Sequence, residues 1–276
     1  MRVLTGLAAA AITLLATFYA PADLFFVGCV ATVIVVTWEF SRLARDVVPG
    51  APIGVLFLLV PVAAALVWVV FRLEIEGNAG LWVIAAWLGV TTVGAAAVLF
   101  GRTPMREALA TMGIFAFAVP YLAVPTVSLA WLKLHDAWLL LILFTIVWLG
   151  DIAAYYIGSW IGRHKMAPVL SPNKSWEGAV AGLLASVGGV AVWCWLRFDQ
   201  IDTGLLVLAA VTAVAGQQGD LVESAIKRSA GRKDSSQLMP GHGGVFDRVD
   251  ALLIAAPVFT IGLWWLGIER YVSGGS

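Results

Sequence analysis

The sequence predicts an all-α integral membrane protein, a polytopic bundle of about nine transmembrane helices whose polar chemistry is gathered at the cytoplasmic edge. Three observations carry that reading. Of the 276 residues, 61% are hydrophobic and only 12% charged, against about 45–50% apolar and 25% charged in soluble domains. Mean hydropathy is +0.93, more apolar surface than a water-soluble globule this size could hide. The apolar residues also collect in long uncharged runs, and the charges collect in a few short segments. An apolar, near-neutral chain is not a disordered one. The formal net charge of +0 gives no reason to expect a nucleic-acid partner. Cys29 and Cys194 both lie in apolar runs, which offers neither a disulfide framework nor a zinc site.

A bilayer core of about 30 Å takes around 20 apolar residues in a helix. Uncharged runs stand at 3–22, 24–38, 47–71, 77–101, 108–132, 178–196, 203–219 and 251–268, and one more at 137–162 is interrupted only by Asp151. These runs do not alternate as barrel strands do. Backbone groups in lipid must be satisfied internally, so they are read as helices. Arg2 and the small residues near Ala20 also fit a signal peptide. The length of the first run, and the short Pro21–Asp23 turn into the next, favour a span.

With a cytoplasmic N-terminus, 13 of the 17 Lys and Arg residues fall on the cytoplasmic side and 4 on the other. The positive-inside rule selects this orientation. It places the two long polar loops, about 162–177 and about 220–250, in the cytoplasm and the C-terminus outside. The division expected is residues 1–136, about five N-terminal spans, and residues 137–276, a C-terminal catalytic region carrying both loops.

Ten of the chain's charges crowd into residues 220–250. Asp220 and Glu223 are three residues apart at the end of the eighth span, so they share a helix face. Asp247 and Asp250 repeat that spacing where the ninth span begins. Carboxylate pairs at a membrane edge suit a hard divalent cation that also binds phosphates. They suit equally well ordinary ion pairs with Lys227, Arg228 and Arg248. Lys233, Asp234 and the glycines around His242 lie between the pairs. Gly243 and Gly244 let backbone N–H groups approach an anion just before a helix start, but no Walker A motif is present.

Ser171-Pro172-Asn173-Lys174-Ser175 precedes the seventh span. It reads as a turn with Ser175 opening a helix, or as a polar ligand contact through Asn173 and Lys174. Asp151, inside the sixth span, is either a functional intramembrane acid or a buried hydrogen-bonding group. Tyr155, Tyr156 and Gly158 below it suggest close helix packing.

These residues together resemble a known family. Ser224 to Arg228, then Lys233-Asp234, then Pro240-Gly241-His242-Gly243-Gly244-Val245-Phe246-Asp247-Arg248-Val249-Asp250 is similar to the signature of the bacterial phosphatidate cytidylyltransferases, the CDP-diacylglycerol synthases. Met239 stands where that family usually has Leu, Ile or Phe, a volume-conserving difference. The stretch 171–178 and Asp151 with its neighbours also resemble family features. The likeness covers about 148–250, and the first five spans match only in hydrophobicity and length. It implies a nucleotidyltransferase that joins CTP to phosphatidic acid, giving CDP-diacylglycerol and pyrophosphate, in a bacterial inner (plasma) membrane with the site facing the cytoplasm. It implies Mg²⁺, with room for a second cation. It makes Asp220, Asp247 and Asp250 the metal ligands and, with Lys233, the catalytic groups. Ser171, Asn173, Lys174, Lys227, Arg228, His242, Gly243, Gly244 and Arg248 become substrate contacts, and Asp151 and Glu223 further candidates. Membrane lipids are the surrounding partners, and the oligomeric state is left open, a homodimer included. A carrier coupled through Asp151 is the main competing class, and the crowding of charge in one loop speaks against it. The pattern of the CDP-alcohol phosphotransferases is absent.

Overall fold

The computed structural model describes residues 2–72, 79–101, 103–239 and 243–272. A helix covers most of each apolar run: α1 (Arg2–Tyr19), α2 (Ala22–Val47), α3 (Leu56–Arg72), α4 (Ala79–Phe100), α5 (Met105–His135), α6 (Ala137–Ile161), α7 (Trp176–Phe198), α8 (Thr203–Ser229) and, after one helical turn α9 (Phe246–Val249), α10 (Leu252–Leu266). Among the described residues, seven helices are long and apolar enough to cross a membrane. The chain is an all-α polytopic membrane protein.

Two helices outrun their apolar stretches. α2 continues through Glu39 to Val47, and α8 continues past Gly219 to Ser229. Asp220, Glu223, Lys227 and Arg228 therefore stand on a helix, and the loop proper begins after Ser229. The cause is local: Glu, Lys, Arg, Ala and Leu are good helix formers, so charge ends the apolar run without ending the helix.

A second difference lies at 162–177. Ser171–Ser175 is a strand, β2, paired antiparallel with β1 (Lys165–Ala167). The expected turn is displaced to the residues between them. Pro172 is tolerated because a two-stranded ribbon consists of edges. Ser175 then caps α7 as its spacing suggests, accepting the Gly178 N–H at 3.2 Å.

The chain folds into two compact units. The first comprises Met1–Thr13, Ala20–Trp131 and Ile226–Arg248. Its core contains Leu43, Ile53, Leu56, Val60, Phe115 and Leu122, all at most 1% exposed. Phe26 stacks on Trp68, with ring centroids 4.8 Å apart. Phe246, fully buried, meets Phe40 and Tyr121 edge-on. The residues after α8, up to Arg248, belong to this unit.

The second unit comprises Leu14–Tyr19, Leu132–Ala225 and Val249–Ser276. Its core runs through Leu139, Leu140, Leu143, Cys194, Leu205, Phe259 and Leu263. Here α6 and α7 pack antiparallel. Ser186 donates to the Ile146 carbonyl at 2.6 Å, and the Trp193 indole donates to Thr145 Oγ1 at 2.9 Å. Backbones close to contact at Gly158 and Gly178: a Cβ on Gly178 would lie 2.7 Å from the Ala154 carbonyl oxygen. Small residues at such a crossing are how apolar helices associate in lipid. Tyr155 and Tyr156, expected in the same packing, are instead exposed.

Candidate active site

In the second unit a cavity of about 610 Å³ opens between α6, the β1–β2 ribbon, α7 and α8. Its polar wall is drawn from three of them, and α7 adds only Gly178 and Ala179. α6 gives Asp151, the ribbon gives Lys165, Asn173 and Lys174, and α8 gives Gln217 and Asp220. Lys174 Nζ stands 2.6 Å from Asp220 Oδ2 and donates to the Gln217 carbonyl at 3.5 Å. Gln217 is itself fixed by donating to the Ala179 carbonyl at 2.9 Å. An ion pair with both side chains partly open to the cavity contributes little stability. Its effect is to hold an ammonium and a carboxylate face to face at the cavity wall. Ser171 pairs with Ala167 at the far end of the ribbon.

Beside this wall, one oxygen each of Asp220, Glu223 and Asp250 lies within 4.8 Å of the others. Asp220 and Glu223 share a face of α8, as their spacing requires. Asp250 reaches them because Gly219 admits the 250–251 turn against the helix. A Cβ on Gly219 would lie 2.6 Å from the Asp250 carbonyl oxygen and 3.2 Å from the Ala251 Cα. Glu223 is fully buried. Three acidic oxygens fit a divalent cation. Mg²⁺ bonds oxygen at about 2.0–2.1 Å, so oxygens on opposite sides of one ion stand about 4.2 Å apart. Small rotations of these side chains cover the difference.

The first unit holds the rest of the signature. Lys227 Nζ lies 2.6 Å from Asp247 Oδ1, with the two side chains only 12% and 8% exposed. Asp247 Oδ2 also accepts from the Ser235 hydroxyl at 2.6 Å, the Ser235 N–H at 3.1 Å and the Gly244 N–H at 2.7 Å. Arg228 donates to the Arg232 carbonyl at 3.2 Å, and Arg232 pairs with Asp46 at 2.6 Å. Lys233 and Arg248 are exposed, and Gly243 takes a positive φ of 78°. His242 falls outside the described residues. The two acids of the second pair thus part company. Asp250 joins Asp220 and Glu223, while Asp247 is engaged by Lys227, Ser235 and Gly244. The Gly244 amide, expected to face an incoming anion, meets one of the protein's own carboxylates.

Residues 1–266 match the model of the cytidylyltransferase family. The chain belongs to that family. Family members named phosphatidate cytidylyltransferase include one from Haemophilus influenzae, 37% identical over 200 residues, which are 66% of this chain and 66% of that protein. One from Brucella suis is 49% identical over 114 residues, 41% of this chain and 42% of its own length. One from Staphylococcus saprophyticus is 42% identical over 123 residues, 44% of this chain and 47% of its own length. The chain thus spans from under half to just under two thirds of these relatives.

Sequence reasoning missed three groups here. Lys165 brings a second cation to the cavity wall, Gln217 supplies part of its floor, and Gly219 permits the approach of Asp250. Lys165 shares the polar 162–177 loop with Lys174, and that was a signal for the first. The other two depend on contacts across the fold that carry no local pattern.

Proposed function

We propose that the chain is a phosphatidate cytidylyltransferase of the cytoplasmic membrane. In this reaction a phosphate oxygen of phosphatidic acid bonds to the α-phosphorus of CTP. The bond from that phosphorus to the oxygen bridging to the β-phosphate breaks, and pyrophosphate leaves with the electron pair. The observation that carries this reading is the cavity with Lys174 paired to Asp220 beside the Asp220–Glu223–Asp250 triad. It combines a cation for phosphate with a carboxylate set for Mg²⁺ in a unit built of membrane-length helices. The relatives' shared name supports the choice of substrates.

The attacking phosphate is already ionised at neutral pH, so no protein nucleophile is needed. Lys174 and Lys165 neutralise charge on the phosphates, and Asn173 offers an amide that can donate or accept. Asp220, Glu223 and Asp250 would hold Mg²⁺, which when bound supplies charge stabilisation for the departing pyrophosphate. By resemblance, Lys227, Arg228, Lys233 and Arg248 of the signature also contact phosphate. The direct test is purified protein in detergent micelles with α-labelled CTP and phosphatidate. The expected result is label in a chloroform-soluble lipid that requires phosphatidate and disappears with EDTA. No labelled lipid from monodisperse protein would end the proposal.

We also infer nine crossings, with the loops at 162–177 and after α8 in the cytoplasm of a bacterium. Contacts within each unit support it. Arg72 pairs with Asp23, the Gly50 N–H donates to Glu107, and Arg232 pairs with Asp46. Lys133 donates to the Thr17 carbonyl, Asp136 pairs with Arg197, and Tyr271 donates to Asp202. Every pair joins residues that alternating spans place on one side. Single cysteines at Ser171 and Gln200, in a background without Cys29 and Cys194, are expected to label from inside and outside respectively. Outside labelling of Ser171→Cys by an impermeant reagent in intact cells would overturn the orientation.

A further inference from the structure

Tyr155 stands on the wall of the second unit's cavity and is 70% exposed. It belongs to one stripe of α6: Asp151, Tyr155, Ser159 and Gly162 all line the cavity, at the spacing of a single helix face. Tyr156 is nearly as exposed, at 67%, but it lies about 100° around the helix and is not part of the cavity wall. The two rings meet edge to face, with centroids 5.4 Å apart and planes at 79°. That contact occupies at most one face of the Tyr155 ring and leaves the other open. The stripe also changes character along its length. A Cβ on Gly182 would lie 2.7 Å from the Gly150 carbonyl oxygen and 3.4 Å from Gln217 Nε2. Gln217, whose carbonyl accepts from Lys174, is therefore level with Gly150 and Asp151, and the Lys174–Asp220 pair lies beside it. Tyr155 and Ser159 follow one and two turns further along α6, about 6 and 12 Å away. Along this helix the wall passes from a charged end to a polar but uncharged stretch.

We propose that Tyr155 binds the nucleotide's base: the open face of its ring is the platform on which the base stacks while the phosphates lie at Lys174 and Asp220. This rests on the cytidylyltransferase reading for the presence of a nucleotide. A nucleotide divides chemically as the cavity does. Its phosphates are charged, and its base is flat, uncharged and rimmed with donors and acceptors. Every base has a π-face that an aromatic side chain can stack on. Ser159 and Asn173, both exposed on the same cavity wall, add a hydroxyl and an amide for the polar edge of the base or sugar. The competing occupant of this stretch is a hydrocarbon tail of the lipid substrate. A tail would desolvate Ser159 and Asn173 without giving either a partner, which is costly. Exposed aromatic residues also form belts at membrane interfaces. Tyr156 and Trp160, exposed and off the cavity wall, fit that role, and Tyr155 differs from them by its place on the cavity stripe.

The test is equilibrium binding of labelled CTP to the full chain in micelles, with Mg²⁺ and without phosphatidate. Inorganic tripolyphosphate serves as a competitor that carries the phosphates and no base. Tyr155→Leu removes the ring, Tyr155→Phe keeps it, and Tyr156→Leu makes the same loss one residue away. Stacking on one ring is worth roughly 5- to 150-fold in affinity. We expect Kd for CTP to rise about tenfold or more in Tyr155→Leu, and to stay within about threefold in Tyr155→Phe and about twofold in Tyr156→Leu. Tripolyphosphate should compete equally well in all three, which also shows that the cavity is intact. In turnover, KM for CTP should rise with Kd in Tyr155→Leu while KM for phosphatidate stays within about twofold. Equal losses of CTP and tripolyphosphate binding in Tyr155→Leu would overturn the stacking role. So would equal effects of Tyr155→Leu and Tyr156→Leu, which would make both belt residues. A rise in KM for phosphatidate alone would hand Tyr155 to the lipid and defeat the proposal. A wild-type chain that binds neither CTP nor tripolyphosphate would overturn the nucleotide reading itself. One that binds both, with Tyr155→Leu unchanged, would overturn only the assignment of Tyr155.

Discussion

Asp220→Asn is expected to lower kcat/KM for CTP by about 100-fold or more and to raise the Mg²⁺ concentration giving half-maximal rate. Asp220 occupies two relationships at once. Its carboxylate stands 2.6 Å from Lys174 Nζ, and it is one corner of the triad with Glu223 and Asp250. Asparagine keeps the volume and removes the charge that each relationship uses. A metal that stabilises a transition state supplies several kcal/mol, and each 1.36 kcal/mol is tenfold in rate. Lys174→Gln separates the two roles. If Lys174 clamps a substrate phosphate, its loss removes a charge-assisted hydrogen bond of roughly 1.5–3 kcal/mol. That corresponds to about 10- to 150-fold in kcat/KM, with the Mg²⁺ half-saturation unchanged. Glu223→Gln should behave as Asp220→Asn does. Asp220→Asn with near-normal rate at every Mg²⁺ concentration would remove the triad from the metal assignment.

Whatever lay within one helix was legible in the sequence. Among the described residues the apolar runs located the long helices, seven of them long and apolar enough to cross a membrane, because a helix in lipid needs its own unbroken apolar stretch. Asp220 and Glu223 could be placed on one face, since i and i+3 are neighbours on any helix. Asp247 and Asp250 have the same spacing but not the same fate. α9 ends at Val249 and the chain turns before α10, so the pair does not ride one continuous helix. Strand β2 was hidden because its partner, β1, is three residues long and carries no alternation of its own. Glu39, a fully buried carboxylate, was hidden for another reason. It stands at the end of an uncharged run, where a carboxylate ordinarily meets water and headgroups. Only its distant partners, Ser236, Val245 and Phe246, distinguish it from such a residue.

Asp247→Asn is expected to abolish most turnover, and the structure says through which contacts. Lys227 and Asp247 form a buried ion pair, with Ser235 and Gly244 donating to the second carboxylate oxygen. Removing one partner of such a pair leaves the other charge buried and uncompensated, a loss of about 3–5 kcal/mol. The loop after α8 loses a carboxylate that holds Ser235 and Gly244, so Asp247→Asn should expose this loop to proteolysis while the helices still insert. Asp247→Glu and Lys227→Met sharpen the expectation. Glu restores the charge but pushes the carboxylate one methylene further towards Lys227 and Ser235, so it should recover protection only in part. Lys227→Met strands Asp247 and should unfold the loop as Asp247→Asn does. The double variant Lys227→Met with Asp247→Leu removes both charges together. Replacing a buried pair by apolar residues of similar volume is often neutral for stability. The double variant should therefore resist protease better than either variant that strands one charge. If it also regains turnover, the pair is structural alone. If it is protected and inactive, Asp247 or Lys227 takes part in the reaction. Wild-type turnover and protection in Asp247→Asn would contradict both the ion pair's importance and the assignment of Asp247 to the site.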